Sequence, residues 1–176
     1  EIFLKKIPTA FVQMGSSLEY GNTKSPQQEE VKCNPKSIKS IYGKAKLLSS
    51  IYLINLFKKK QFPCTILRLY LAYGPKQDIN RFLPIIIEGC IKNQKFSCSK
   101  GNQLRDFVHV NDVVDAIVKS LLNKNAKGQI INIGSGKPRQ IRKIIEYIKK
   151  VSKGGSPQFG KIKLRKDEIV KLYPSI

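Results

Sequence analysis

The sequence has little of what marks several other protein classes. It holds one histidine, His109, and four cysteines, Cys33, Cys64, Cys90 and Cys98, none in a C-x-x-C pair. Such a set does not make a zinc site, so no metal is expected. Cys64 and Cys90 lie in apolar runs and read as core thiols, consistent with a reducing cytoplasm. No apolar run is as long as a membrane span, and no signal-peptide pattern opens the chain, so no membrane role is expected. Repeats and low-complexity tracts are absent. Acidic residues are few: 12 against 33 Lys and Arg, for a net charge of +21. A field of that sign attracts anionic small molecules such as nucleotides. A basic nucleic-acid-binding module is the competing reading, and it requires lysines gathered on one face with exposed aromatics. Here the lysines are interleaved with apolar positions along the whole chain, which argues against nucleic acid.

What is present, in 176 residues, is one domain's worth of alternating strands and helices. Ala10 to Met14 reads as a strand running into Gly15-Ser16-Ser17. That places hydroxyls at a strand's C-terminal end, where open α/β sheets bind ligands; an ordinary capped turn is the plainer reading. Residues 22–39 read as a long polar loop. Leu47 to Lys60 reads as a helix, and Tyr42 and Lys46 just before it are four residues apart, which on a helix is one face. An ammonium beside a phenol favours the phenolate, so a tyrosine held that way can exchange a proton near neutral pH. Taken alone, the spacing also occurs by chance.

Cys64 to Leu69 reads as a buried strand, 72–75 as a turn, and Arg81 to Ile91 as a helix with Pro84 near its start. Residues 105–110 alternate like a strand, with Asn111 as N-cap of a helix over 112–122. Gln129 to Ile133 reads as a further strand. The Gly134-Ser135-Gly136 that follows lacks the third glycine of a phosphate-cradling loop, because Arg139 stands there, and reads as a turn. Gln140 to Val151 reads as an amphipathic helix, and the basic tail 153–176 as irregular.

Together these segments resemble the extended short-chain dehydrogenase/reductase family, the NAD-dependent nucleotide-sugar epimerases, dehydratases and ketoreductases. Phe11 to Gly21 looks like the family's strand that ends in a Ser-Ser pair and closes on Tyr-Gly. Tyr42 and Lys46 match its Y-x-x-x-K. Leu67 to Pro75 looks like its strand leading to Tyr-Gly-Pro, and 105–112 its Arg-Asp-aromatic block. Residues 132–136 are similar to the turn that follows. The order of these motifs over residues 10–150 carries the resemblance.

The resemblance implies part of a doubly wound, mainly parallel, Rossmann-like α/β sheet plus a small C-terminal substrate-binding region. The division falls at 1–75 and 76–176, the second part including the strand 129–133. It implies hydride transfer between NAD or NADP and C4 of a nucleotide-diphosphate sugar. Tyr42 would move the hydroxyl proton, Lys46 would hold the nicotinamide ribose, and Ser16 (Ser17 as alternate) would bind the same sugar oxygen. Arg105 would grip the pyrophosphate, unless it is a surface arginine paired to a nearby acid. Asn80 and Arg81 would touch the nucleotide. A homodimer and a cytoplasmic location are implied too. The family's G-x-x-G-x-x-G loop is missing, so the chain is expected to be the C-terminal portion of a longer enzyme and inactive alone. Ser17 and Leu18 stand where 4,6-dehydratases have acids, which favours a 4-epimerase or 4-ketoreductase. Leu71 replaces an asparagine common in the family. The nearest likeness is to bacterial deoxysugar enzymes acting on dTDP- or CDP-linked 4-keto sugars. A non-catalytic member of the same fold is the alternative.

Overall fold

A computed structural model describes residues 7–165 and 168–176. Its centre is a three-stranded parallel sheet in the order β1 (Phe11–Ser16), β2 (Cys64–Leu69), β7 (Ile130–Ile133). β1 and β2 run in register from Phe11 opposite Cys64 to Ser16 opposite Leu69. β2 meets β7 from Ile66 opposite Ile130 to Leu69 opposite Ile133. A parallel neighbour needs a crossover, and α1 (Ile41–Lys60) supplies it between β1 and β2. The Ser40 hydroxyl caps α1 by accepting the Gly43 N–H, and Gln61 ends it in the left-handed region.

The middle strand is covered on both faces, which is why Cys64 to Leu69 is mostly apolar, Thr65 and Arg68 being the exceptions. On one side Cys64 and Ile66 pack with Leu53 and Phe62, and with Phe57 of α1. On the other, Leu67 and Ile133 pack with Val108 and Val113, the latter on α3 (Val110–Leu122). A second apolar cluster joins α2 (Phe82–Ile91) to α4 (Ile141–Ser152) through Ile86, Cys90, Ile141 and Ile145. All four cysteines are free thiols. Among the described residues no His, Cys, Asp and Glu group could hold a metal, and no helix is long and apolar enough to cross a membrane.

Several local expectations change. Residues 72–75 are not simply a turn, because Leu71–Tyr73 forms β3, parallel to β6 (Phe107–His109). The strand expected over 105–110 is two pieces, β5 (Leu104–Arg105) and β6, which join different sheets. The break falls at Asp106, whose side chain turns inward to accept the Ser135 N–H at 2.6 Å. His109, not Asn111, caps α3, its Nδ1 accepting the Asn111 N–H. The loop 22–39 contains a short 3-10 turn, Pro35–Ser37, and a fully buried Gln27. The tail is also more ordered than its composition suggests. Beyond α4, Gly155 turns the chain at positive φ and Ser156–Phe159 forms β9 beside β4 (Lys95–Cys98). Further on, Lys171–Leu172 forms β10 beside β5, which pairs on its other side with β8 (Arg139–Gln140). These strands are held by backbone pairing, so no side-chain alternation announces them.

Candidate active-site cleft

β1 ends in a 3-10 turn, Ser17–Tyr20, that Ser16 caps. The first turn of α1 packs against it because Gly43 has no side chain. A Cβ there would lie 2.8 Å from the Leu18 carbonyl oxygen. Beside this contact opens a cleft of about 910 Å³. Ser16, Ser17 and Tyr42 line it on the sheet side; Arg81, Arg105 and Arg165 line it from three other segments. The cleft therefore sits at the carboxyl end of the parallel strands, the usual ligand position in such sheets.

Five of the seven residues singled out from sequence line this one cleft. Tyr42 is 55% exposed, and its hydroxyl has no hydrogen-bond partner among the described residues. Lys46 stands one turn behind, its Nζ donating to the Met14 carbonyl at 2.9 Å and lying 5.7 Å from the Tyr42 ring centre. That bond ties α1 to β1 and leaves two ammonium hydrogens free. The Ser16 hydroxyl accepts the Leu18 N–H at 3.2 Å. The Ser17 hydroxyl makes no hydrogen bond among the described residues, although the residue is buried. Arg81 lines the cleft, whereas Asn80 stands outside it with its backbone N–H on Asp78.

Arg105 is paired to an acid, as its plainer reading had it, but it is buried rather than on the surface. It lines the cleft and is ion-paired to Glu168, while its Nη1 also donates to the Leu104 and Val170 carbonyls. Burial pushes its guanidinium below the ordinary value and Glu168 opposes that push. Arg165 was hidden in a tail read as irregular. Its only sequence signal was being one of six arginines among 33 cationic residues.

A larger omission lies beneath the cleft. Glu19 and Arg68 are an ion pair at 3.0 Å with side-chain exposures of 0% and 2%. Arg68 stacks on Tyr20, whose hydroxyl donates to Asn132 Oδ1 at 2.8 Å. Asn132 Nδ2 donates to the Gln27 carbonyl, and the Tyr70 hydroxyl to Gln27 Oε1. Burial raises both phenols, Tyr20 and Tyr70, above their ordinary range. The signal was Arg68 itself: a cation inside a strand apolar on both faces requires a buried counter-charge.

The site is thus a hydroxyl-lined, arginine-rimmed cleft at the strand ends of a parallel α/β sheet. The class follows by comparison. The profile described as the NAD dependent epimerase/dehydratase family matches residues 2–134, and the chain belongs to that family. It is 27% identical over 189 residues to CDP-abequose synthase of Salmonella muenchen, covering 88% of this chain and 64% of that protein. It is 34% identical over 128 residues to a putative UDP-glucose 4-epimerase of Methanocaldococcus jannaschii, covering 70% of this chain and 40% of that protein. Among solved structures, UDP-glucuronic acid 4-epimerase from Bacillus cereus, in complex with UDP-glucuronic acid and NAD, superposes with a TM-score of 0.84 at 26% identity. That match covers 95% of this chain and 52% of that one. The chain thus spans about two fifths to two thirds of the length of these proteins.

Proposed function

We propose that the full native protein is an NAD- or NADP-dependent nucleotide-sugar 4-epimerase or 4-ketoreductase. In this reading Tyr42 is the acid/base, and the observation that carries it is the convergence of Ser16, Ser17, Tyr42, Arg81 and Arg105 on one cleft. Residues 1–75 then serve the Rossmann-like part, to which β7 adds a strand, and the rest of 76–176 the substrate side. When bound, the nicotinamide cofactor takes or returns the hydride at sugar C4. The residues present fit its reactive end: Lys46 keeps two donors beside Tyr42, suited to a ribose diol. The Gly134-Ser135-Gly136 turn does not suit its phosphates, since it leads into β8 rather than a helix and its Ser135 N–H is committed to Asp106.

Tyr42 removes the C4 hydroxyl proton in one direction and returns it in the other. Ser16, whose oxygen already accepts from Leu18, donates its own proton to the same substrate oxygen as negative charge builds there. Arg81, Arg105 and Arg165 neutralise the diphosphate, and Arg105 exchanges Glu168 for phosphate oxygens. A 4,6-dehydratase is disfavoured on the serine turn, because its one acid, Glu19, is sealed against Arg68 and does not line the cleft. The face of α1 with Leu48 and Tyr52 exposed suits a homodimer.

The test is Tyr42→Phe in the full native protein. Turnover of a nucleotide sugar is expected to fall about 10²- to 10⁴-fold with the fold intact. Unchanged turnover removes Tyr42 from the mechanism and this function with it.

A further inference from the structure

The Glu19–Arg68 pair is expensive for what it does as an ion pair. Desolvating two charges this deeply costs about as much as their attraction returns, so apolar residues would hold the fold as well. Arg68 Nη1 is also buried without a hydrogen-bond partner among the described residues. Yet the surroundings are shaped to keep the pair. Glu19 Oε2 accepts from Arg68 Nε, and Oε1 accepts the Ser16 N–H at 2.8 Å. Gly15 leaves the space: a Cβ there would lie 2.5 Å from Glu19 Oε1. Through Tyr20 and Asn132 the chain of contacts spans β1, β2 and β7.

We propose that Glu19 and Arg68 are positioning residues for the Ser16 hydroxyl. Glu19 fixes the Ser16 backbone, and the turn so held presents the Leu18 N–H to Ser16 Oγ. With its lone pair engaged from below, the hydroxyl offers its proton to the cleft. Arg68 adds an electrostatic effect. It cancels a carboxylate whose uncompensated charge would oppose negative charge growing on an oxygen held by Ser16. The inference rests on the role given to Ser16 above.

The experiment pairs two readouts in the full native protein. Residue-level amide exchange needs no substrate and reads the lock itself. Turnover, over a panel of UDP-, dTDP- and CDP-linked hexoses with NAD or NADP, reads its consequence. Glu19→Leu/Arg68→Met replaces the pair by apolar side chains. The Ser16 and Leu18 amides are expected to exchange at least about tenfold faster, while those of Ile66 and Leu67 stay protected. Turnover is expected to fall about 10- to 100-fold with KM little changed. In a Ser16→Ala background the same double substitution is expected to cost nothing further. Glu19→Gln/Arg68→Gln keeps an acceptor for the Ser16 N–H and a partner for it, and is expected to hold turnover within about threefold of wild type. Unchanged exchange at Ser16 and Leu18 overturns the lock. Raised exchange with equal losses in both Ser16 backgrounds makes the pair structural and overturns the positioning role. If Ser16→Ala leaves turnover intact, or wild type turns over no panel member, the functional reading falls and the catalytic role with it, whatever the exchange data show.

Discussion

Gly43→Ala isolates geometry from chemistry, because it touches neither hydroxyl. Gly43 lies between Tyr42 and Lys46 in α1, and an added Cβ would meet the Leu18 carbonyl oxygen at 2.8 Å, Leu18 Cβ at 3.1 Å and Ile38 Cγ2 at 3.2 Å. The first contact is roughly 0.6 Å inside ordinary separation and is to backbone, so the helix and the serine turn must part. Alanine in a helix gains about 1 kcal/mol over glycine. Overpacking costs about 1–3 kcal/mol. The net loss of stability is therefore only about 0–2 kcal/mol, read as the urea midpoint at constant slope. Turnover should suffer far more, because Tyr42 and Ser16 sit on the two bodies being separated. A displacement of half an ångström to one ångström costs about 10- to 100-fold. A variant stabilised by the full alanine gain with unchanged turnover would refute the idea that the α1–turn contact sets the distance between the two groups.

The remaining expectations follow from single features. Arg81→Ala removes an exposed cleft cation with no ion pair among the described residues, so KM for a nucleotide sugar should rise about tenfold while kcat and stability hold. Gly128→Ala should cost about 2–3 kcal/mol, measured by thermal unfolding, since φ is +77° and a Cβ would lie 2.1 Å from the Phe57 ring. Tyr20 and Tyr70 have phenols raised by burial, so the folded state keeps their protons longer than the unfolded chain does. Their contribution is therefore present below the unfolded value, about 10, and is lost as pH rises through the folded values. Tm measured from pH 8 to 11 should fall at the top of that range, and Tyr70→Phe should flatten the fall; an equal fall in both proteins would exclude Tyr70 as its source.

Much of this arrangement was legible because the sheet needs it. β1, β2 and β7 are parallel, so their apolar runs stand out, and α3 between β2 and β7 carries a clear apolar stripe, whereas α1 exposes Leu48, Ile51 and Tyr52 and shows little periodicity. Tyr42 and Lys46 were legible as a spacing, and the convergence of Ser16 with Tyr42 as a shared motif order. Strands of two to four residues such as β5, β9 and β10 were not, since they rest on backbone pairing with distant segments. The N-cap of α3 went to His109 because an imidazole nitrogen can accept as a cap oxygen does, a substitution that residue preferences rank low. Glu19 carried no signal of its own: it follows Ser-Ser-Leu in a turn, and only the three-dimensional neighbour Arg68 makes it a buried charge.

The charge itself repays a finer division than its total. Of the 33 cationic residues, 27 are lysines and six are arginines. Three of the six arginines, Arg81, Arg105 and Arg165, line the cleft, and Arg68 lies directly beneath it. Lysine is a hydrated point charge that can be scattered over a surface at little cost, whereas guanidinium forks are suited to planar oxygens and tolerate burial. The net charge of +21 therefore describes mostly lysine, and on the proposed function the three cleft arginines are the ones that would meet an anionic ligand. On that division, added salt should weaken ligand binding only by the share carried by diffuse lysine attraction, while Arg105, buried and bonded to two carbonyls, keeps its geometry. A nucleic-acid partner would instead draw on the scattered lysines, with log K falling against log salt at a slope of roughly minus the number of phosphates covered.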